Sequence, residues 1–208
     1  ITTLLLLLPH RDQSIARLVD LNGPIAWRAE GSDSHEHLDE PNIGTKLGAG
    51  TLEVFAAGTW GKIAFTDGTS LEVSGHAILR ISSLDRGKTV HLRKGEVSID
   101  AVAQPAGQPM RLVTSAAELE VLGTQFNVAA TSFSTELTVN KGSVRIRRLA
   151  DGKTIEVPAE HVAIAALEID AAFKARPRTR FVDTWTSDLP RGVLMGMLEP
   201  GAVRARTH

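Results

Sequence analysis

The sequence predicts an all-β domain of many short antiparallel strands, folded as a two-sheet sandwich or a solenoid-like stack. Three observations carry this expectation. From Ile15 to about Ala166, runs of alternating apolar and polar residues are separated by turn residues, the period-two pattern of a half-buried strand. The 18 glycines and 9 prolines accompany few long helical patterns. The chain also resembles itself: displaced by 48 residues, Phe65, Thr66, Leu71, Glu72, Val73 and Gly75 fall on Val113, Thr114, Leu119, Glu120, Val121 and Gly123. With one residue deleted, Val90, Leu92, Lys94, Gly95, Val97 and Ile99 then fall on Leu137, Val139, Lys141, Gly142, Val144 and Ile146. Such a period reads as an internal duplication of a unit of about four short strands.

The chain opens on ITTLLLLLPHR and starts at Ile1 rather than Met, so it reads as a piece or a processed form. Leu4 to Leu8 is a solid apolar run closed by Pro9. Residues 1–14 are expected to be the end of a truncated membrane span or a signal segment, since a full span takes about 20 apolar residues. No small-x-small cleavage site follows the run, which favours the anchor. Residues 15–170 form the expected β domain. In it, VDLNGPIAW, IAFTDGTSLEV, VHLRKGEVSID and LTVNKGSVRIR each read as two strands about a turn. Asp67-Gly68 is the strongest of these turn signals, because both central positions of such a turn favour positive φ. The acidic stretch from Ala29 to Gly50 reads as a long exposed loop. Pro158 to Ala172 fits a strand at least as well as a helix. Residues 171–208 lack a period and read as a linker, KARPRTR, followed by an incomplete extension.

Gly75 and Gly123 interrupt otherwise regular strand patterns, at matching places in the two units. A glycine repeated in this way points to a backbone conformation, a bulge or bend where a strand leaves one sheet for the other. Gly123→Val is therefore expected to be harmful. The hydroxyl of Thr124 is expected to cover a backbone group freed by the bend.

Net charge is −1, so nothing in bulk electrostatics draws the chain to nucleic acid or anionic lipid. Cysteine is absent, which excludes disulfides, thiol catalysis and cysteine-ligated zinc. GKT occurs at Gly87 and again at Gly152, but the earlier glycine of a phosphate loop is missing and strands follow both. His35 and His37 lie near Asp39 and Glu40, a weak metal candidate with neither a fourth ligand nor supporting partners in view. No nucleophile elbow or zinc-protease motif is present. Glu118 and Glu120 share a strand face and read as solvated. Trp27 and Trp60 read as core anchors. No catalytic residue, cofactor or metal is expected. An enzyme would need a deep pocket holding His76, His91 or His161 beside a carboxylate.

The segment LVTSAAELEVLGTQFNVAATSFSTELTVNKGSVRI, Leu112 to Ile146, resembles the core motif of the FecR family. Thr114, Val121, Gly123, Thr124, Phe126, Val128, Val139, Gly142 and Val144 hold its spacing, and the upstream GKIAFTDGTSLEVSGHAIL and VHLRKGEVSI match the preceding portion. PAEHVAI matches the family's next portion, with Ala159 where the family usually has glycine. The resemblance implies a bacterial inner-membrane regulator with one span and an extracytoplasmic β domain. Such a domain relays a signal from an outer-membrane or envelope signalling protein. A cytoplasmic part, absent from this chain, then controls an extracytoplasmic-function sigma factor. The matched residues Gly75, Gly95, Thr114, Gly123, Thr124, Phe126 and Gly142 are fold-signature positions rather than ligand sites. The helical module that ends iron-type members is not recognisable in residues 171–208. The alternative reading is an exported envelope scaffold or glycan-binding β domain without sigma-factor regulation.

Overall fold

The computed structural model describes residues 14–39, 42–84, 87–169 and 172–178, with the side chains of Ser83 and Leu84 excluded. The Leu4–Leu8 run, Trp185 and the tail from Thr179 to His208 lie outside the described residues, and one compact unit ends at Arg178. Among the described residues there are sixteen strands and no α-helix. They are β1 (Ala16–Asn22), β2 (Ile25–Ala29), β3 (Glu36–Leu38), β4 (Lys46–Leu47), β5 (Gly50–Val54), β6 (Trp60–Phe65), β7 (Ser70–Leu84) and β8 (Gly87–Asp100). There follow β9 (Met110–Val113), β10 (Ala117–Val121), β11 (Gln125–Ala130), β12 (Ser134–Lys141), β13 (Ser143–Arg148), β14 (Thr154–Pro158), β15 (His161–Ala166) and β16 (Arg176–Pro177).

Strand pairing sorts these into two rows joined by the long strands β7 and β8. The N-terminal half of β7 pairs with β6, and its C-terminal half with β5. Strand β8 pairs with β9 through its first half and with β11 through its second. One row therefore runs β4-β1-β6-β7-β8-β11-β12-β15-β16, and the other β3-β2-β5-β7-β8-β9-β10-β13-β14. Hydrogen bonding is continuous through β7 and β8, so the sandwich-like fold is one folded sheet rather than two separate ones. Every pairing is antiparallel except β8 with β9.

The core follows from alternation. In β13 the burial alternates strictly, with Val144, Ile146 and Arg148 inward, and β6 and β10 do the same with Ile63, Phe65, Leu119 and Val121. Inward residues of both rows join one apolar cluster that includes Trp27, Leu79, Leu92, Ile99, Phe126 and Val139. Burying one such Leu, Ile or Phe side chain contributes about 1.5–3 kcal/mol, so the alternation is the main source of stability.

The chain changes row at residues in the left-handed region. Gly75 (φ 61) and His76 (φ 50) carry β7 across, and Gly95 (φ 99) carries β8 back. Gly123 (φ 146) lies between β10 and β11, Gly142 (φ 84) between β12 and β13, and Glu160 (φ 60) between β14 and β15. Two of these glycines are also sterically forced. A Cβ on Gly95 would stand 2.4 Å from the Cβ of Ala77, and one on Gly142 would stand 3.0 Å from the carbonyl oxygen of Gly123.

Several sequence expectations change here. Only IAFTDGTSLEV is a hairpin as read, with Ile63 opposite Leu71. In VHLRKGEVSID, β8 runs unbroken through Gly95. In LTVNKGSVRIR and VDLNGPIAW the flanking strands do not pair with each other. Glycine at positive φ between alternating runs serves a row crossing as readily as a turn. The expected loop from Ala29 to Gly50 contains β3 and β4, whose Leu38 and Leu47 are fully buried. Residues 172–178, expected as linker, place Phe173 in the core and add β16 beside β15. Between Pro158 and Ala172 the strand alternative holds, as β15. Trp27 is buried, whereas Trp60 is half-buried.

Candidate interaction site

The fold-signature residues gather at the row crossings, where they shape backbone. Phe126 is fully buried opposite Ile99 and Val139. Thr124 Oγ1 donates to the carbonyl of Ser143 at 2.8 Å, across the gap that Gly142 keeps open. Thr114 Oγ1 accepts from the Ala117 N–H at 2.9 Å and shares a 2.6 Å hydrogen bond with Thr135 Oγ1. These three side chains are buried, and Thr114 borders an open recess.

That recess lies where β8 exchanges one neighbour for another. Strand β9 accompanies β8 only to His91, and β11 joins only at Gly95. Leu92, Arg93 and Lys94 therefore have no strand partner on that edge among the described residues. The space beside them has a volume of about 560 Å³ and is lined by Ile78, Val113, Thr114, Ser115 and Ser132 as well as by residues 91–94. At its lining, Ser115 Oγ donates to the carbonyl of Thr131 at 2.7 Å, tying the β9–β10 turn to the β11–β12 turn. Ile78 and Val113 are half-buried apolar residues of the lining, and Leu92 lies buried in the core beneath it. Arg93 and Lys94 make the lining cationic, and no carboxylate borders it among the described residues. Burial, and then the charge of Arg80, hold His91 below its ordinary value. Arg80 itself is paired with Glu30.

The remaining polar features are satisfied within the fold. Glu118 and Glu120 pair with Arg147 and Arg145 across β10 and β13. Asp67 receives Lys88, the Thr69 N–H at 3.1 Å and Gln104 at 3.1 Å. Burial alone would raise its pKa, but Lys88 and these hydrogen bonds bring it down to about 2. Arg148 donates to Asp151 at 2.5 Å and lies over the Phe173 ring, 4.9 Å from its centroid. No buried side-chain nitrogen or oxygen lacks a partner among the described residues.

His35 and His37 are exposed on and beside β3, and no group of three potential metal ligands occurs among the described residues. His76 is exposed at its crossing, while His91 and His161 are half-buried. His161 Nδ1 is 2.9 Å from the Ala159 carbonyl. None of the three histidines shares a recess with a carboxylate among those described. Sequence reasoning missed the recess because its lining comes from β7, β8 and two turns that are distant in the chain. The available signal was His91-Leu92-Arg93-Lys94, three basic residues in four with no acid.

No helix among the described residues is long and apolar enough to cross a membrane. No curated protein matches the chain. Two crystal structures of a "putative anti-sigma factor" from Parabacteroides distasonis ATCC 8503, at 2.50 and 1.65 Å, share the fold. Each superposes with a TM-score of 0.53 at 18% identity, covering 61% of this chain and 59% of that one. This chain thus matches less than two thirds of that protein's length. The family model described as FecR protein matches residues 53–145, from β5 to within β13. That segment spans the bent strands, both glycine crossings and the lining of the recess, and over it this chain is similar to the FecR family.

Proposed function

We propose that this chain is the extracytoplasmic, signal-relaying interaction domain of a membrane-anchored FecR-type regulator of an extracytoplasmic-function sigma factor. The observation that carries the reading is the family match over residues 53–145. The fold shared with the Parabacteroides protein supports it. The Leu4–Leu8 run, ahead of the β domain, supports an N-terminal anchor. The domain acts by binding, not by catalysis. Its partner is an outer-membrane or envelope signalling protein, while the sigma factor is met by a cytoplasmic part outside this chain. The two bent hairpins are copies of one duplicated unit. In support, Leu71–Ile99 and Leu79–Leu92 in one hairpin correspond to Leu119–Ile146 and Phe126–Val139 in the other.

The test begins with the coding sequence upstream of Ile1. Completion of a span of about 20 apolar residues, preceded by a segment that binds a sigma factor in a two-hybrid assay, is the expected result. Deleting the β domain from that full-length protein should change the output of a sigma-dependent reporter. A cleaved signal peptide with no cytoplasmic segment would overturn the reading and leave an exported scaffold or glycan-binding domain.

A further inference from the structure

We infer that the recess beside Leu92–Lys94 receives an extended, acidic polypeptide segment of the partner protein. The inference rests on the interaction reading above and specifies its surface and chemistry. Three features of the recess converge on such a ligand.

The first is an open strand edge. Between His91 and Gly95 the edge of β8 loses β9 before it gains β11. An extended segment supplies main-chain groups that a side chain or a compact ligand does not, as in strand addition to a sheet edge. Three residues of strand span about 10 Å, enough for two or three residues of a partner. The second is charge. Arg93 and Lys94 line the space without a carboxylate among the lining residues, so carboxylates entering it meet complementary charge. The third is rigidity. Ser115 to Thr131 and Thr114 to Thr135 fasten the two turns that wall the recess, so the shape exists before the ligand arrives. Ile78 and Val113, both half-buried, offer apolar contact to side chains of the segment.

The experiment uses the full 208-residue chain. A labelled peptide alternating glutamate and valine is titrated by fluorescence anisotropy, and amide shifts are followed by NMR. Saturable binding with shifts concentrated at Leu92–Lys94 and Thr114–Ser115 is expected. The double variant Arg93→Glu/Lys94→Glu should weaken binding at least tenfold while keeping the wild-type unfolding midpoint. On the unaltered chain, a peptide N-methylated at alternate amides should also bind about tenfold more weakly, because it cannot pair with the strand edge. This second arm needs no variant to fold.

Equal binding of a lysine–valine peptide would overturn the charge argument, and equal binding of the N-methylated peptide would overturn the edge pairing. Inorganic phosphate producing the same shifts and displacing the peptide completely would reduce the recess to an anion site and overturn the inference. If no peptide binds, yet deleting the domain still changes the sigma-dependent output, this surface is wrong and the interaction reading stands. If neither responds, both fail.

Discussion

In the hairpin of β7 and β8 both strands run unbroken through the change of row, whereas in β10 to β13 the same path is cut into four strands. The pairs correspond: Val73–Val97 and Ile81–Val90 in the first occupy the places of Val121–Val144 and Val128–Leu137 in the second. The crossings differ in what relieves them. In the first, Gly95 is pressed against Ala77, and His76 accepts a left-handed backbone. In the second, Gly142 leaves more room and Thr124 Oγ1 bridges to Ser143. A continuous bulged strand keeps its ladder by close packing, while an interrupted one needs a side chain to take up the freed carbonyl. The first arrangement also leaves part of the β8 edge without a strand partner, where β9 gives way to β11.

The largest expected effect separates the two glycines. Gly95→Ala places a Cβ 2.4 Å from Ala77 Cβ at φ 99 and should cost about 4 kcal/mol, the sum of backbone strain and overpacking. Gly142→Ala meets its nearest atom at 3.0 Å and should cost about 2 kcal/mol. Urea midpoints of the two variants check this, and equal losses would break the comparison. Next, Thr124→Val removes the bond to Ser143 from a buried site and should cost about 1–2 kcal/mol. His76→Gly at the matching crossing should instead leave stability level or raise it by up to about 1 kcal/mol, by relieving its left-handed backbone.

Acid should distinguish the turns that lead into the two hairpins. The first depends on the Asp67 carboxylate and the second on the uncharged Thr114 hydroxyl. Asp67 is depressed from 3.8 to about 2, so its contribution is present above about pH 4 and is lost as pH falls towards 2. The unfolding midpoint should fall through that window, and Asp67→Asn should flatten the part of the slope due to this group. The smallest effect belongs to the outer charge ladder. Arg147→Ala breaks an exposed pair with Glu118 and should shift stability by no more than about 0.5 kcal/mol, read from the same urea curves.

Much of this fold is visible in the sequence because burial dictates alternation locally. Ile63, Phe65, Leu119 and Val121 announce their strands without reference to partners. The Asp67-Gly68 turn is similarly local. Gly95 and Gly142 misled because positive φ in a strand pattern is common to turns and crossings, and only the partner strands distinguish them. Leu38 and Leu47 were hidden in a polar stretch because strands of two or three residues are too short to show a period. Phe173 was likewise a single apolar residue in a basic segment. The recess is a relation between strands, created where β9 ends and β11 begins, and no local pattern encodes it. Its basic lining, in contrast, stands in the sequence as His91-Leu92-Arg93-Lys94.

The two hairpins carry a matched pair of lysines. Lys94 precedes Gly95 on the open edge, and Lys141 precedes Gly142 in the other hairpin, paired with Gln125. The most direct test is the affinity of the glutamate–valine peptide for Lys94→Glu and for Lys141→Glu, which change net charge equally. Weaker binding by Lys94→Glu alone, about tenfold, is the predicted result. Equal weakening by both would show that the peptide responds to overall charge, and would contradict a function built on the edge that the first hairpin leaves open.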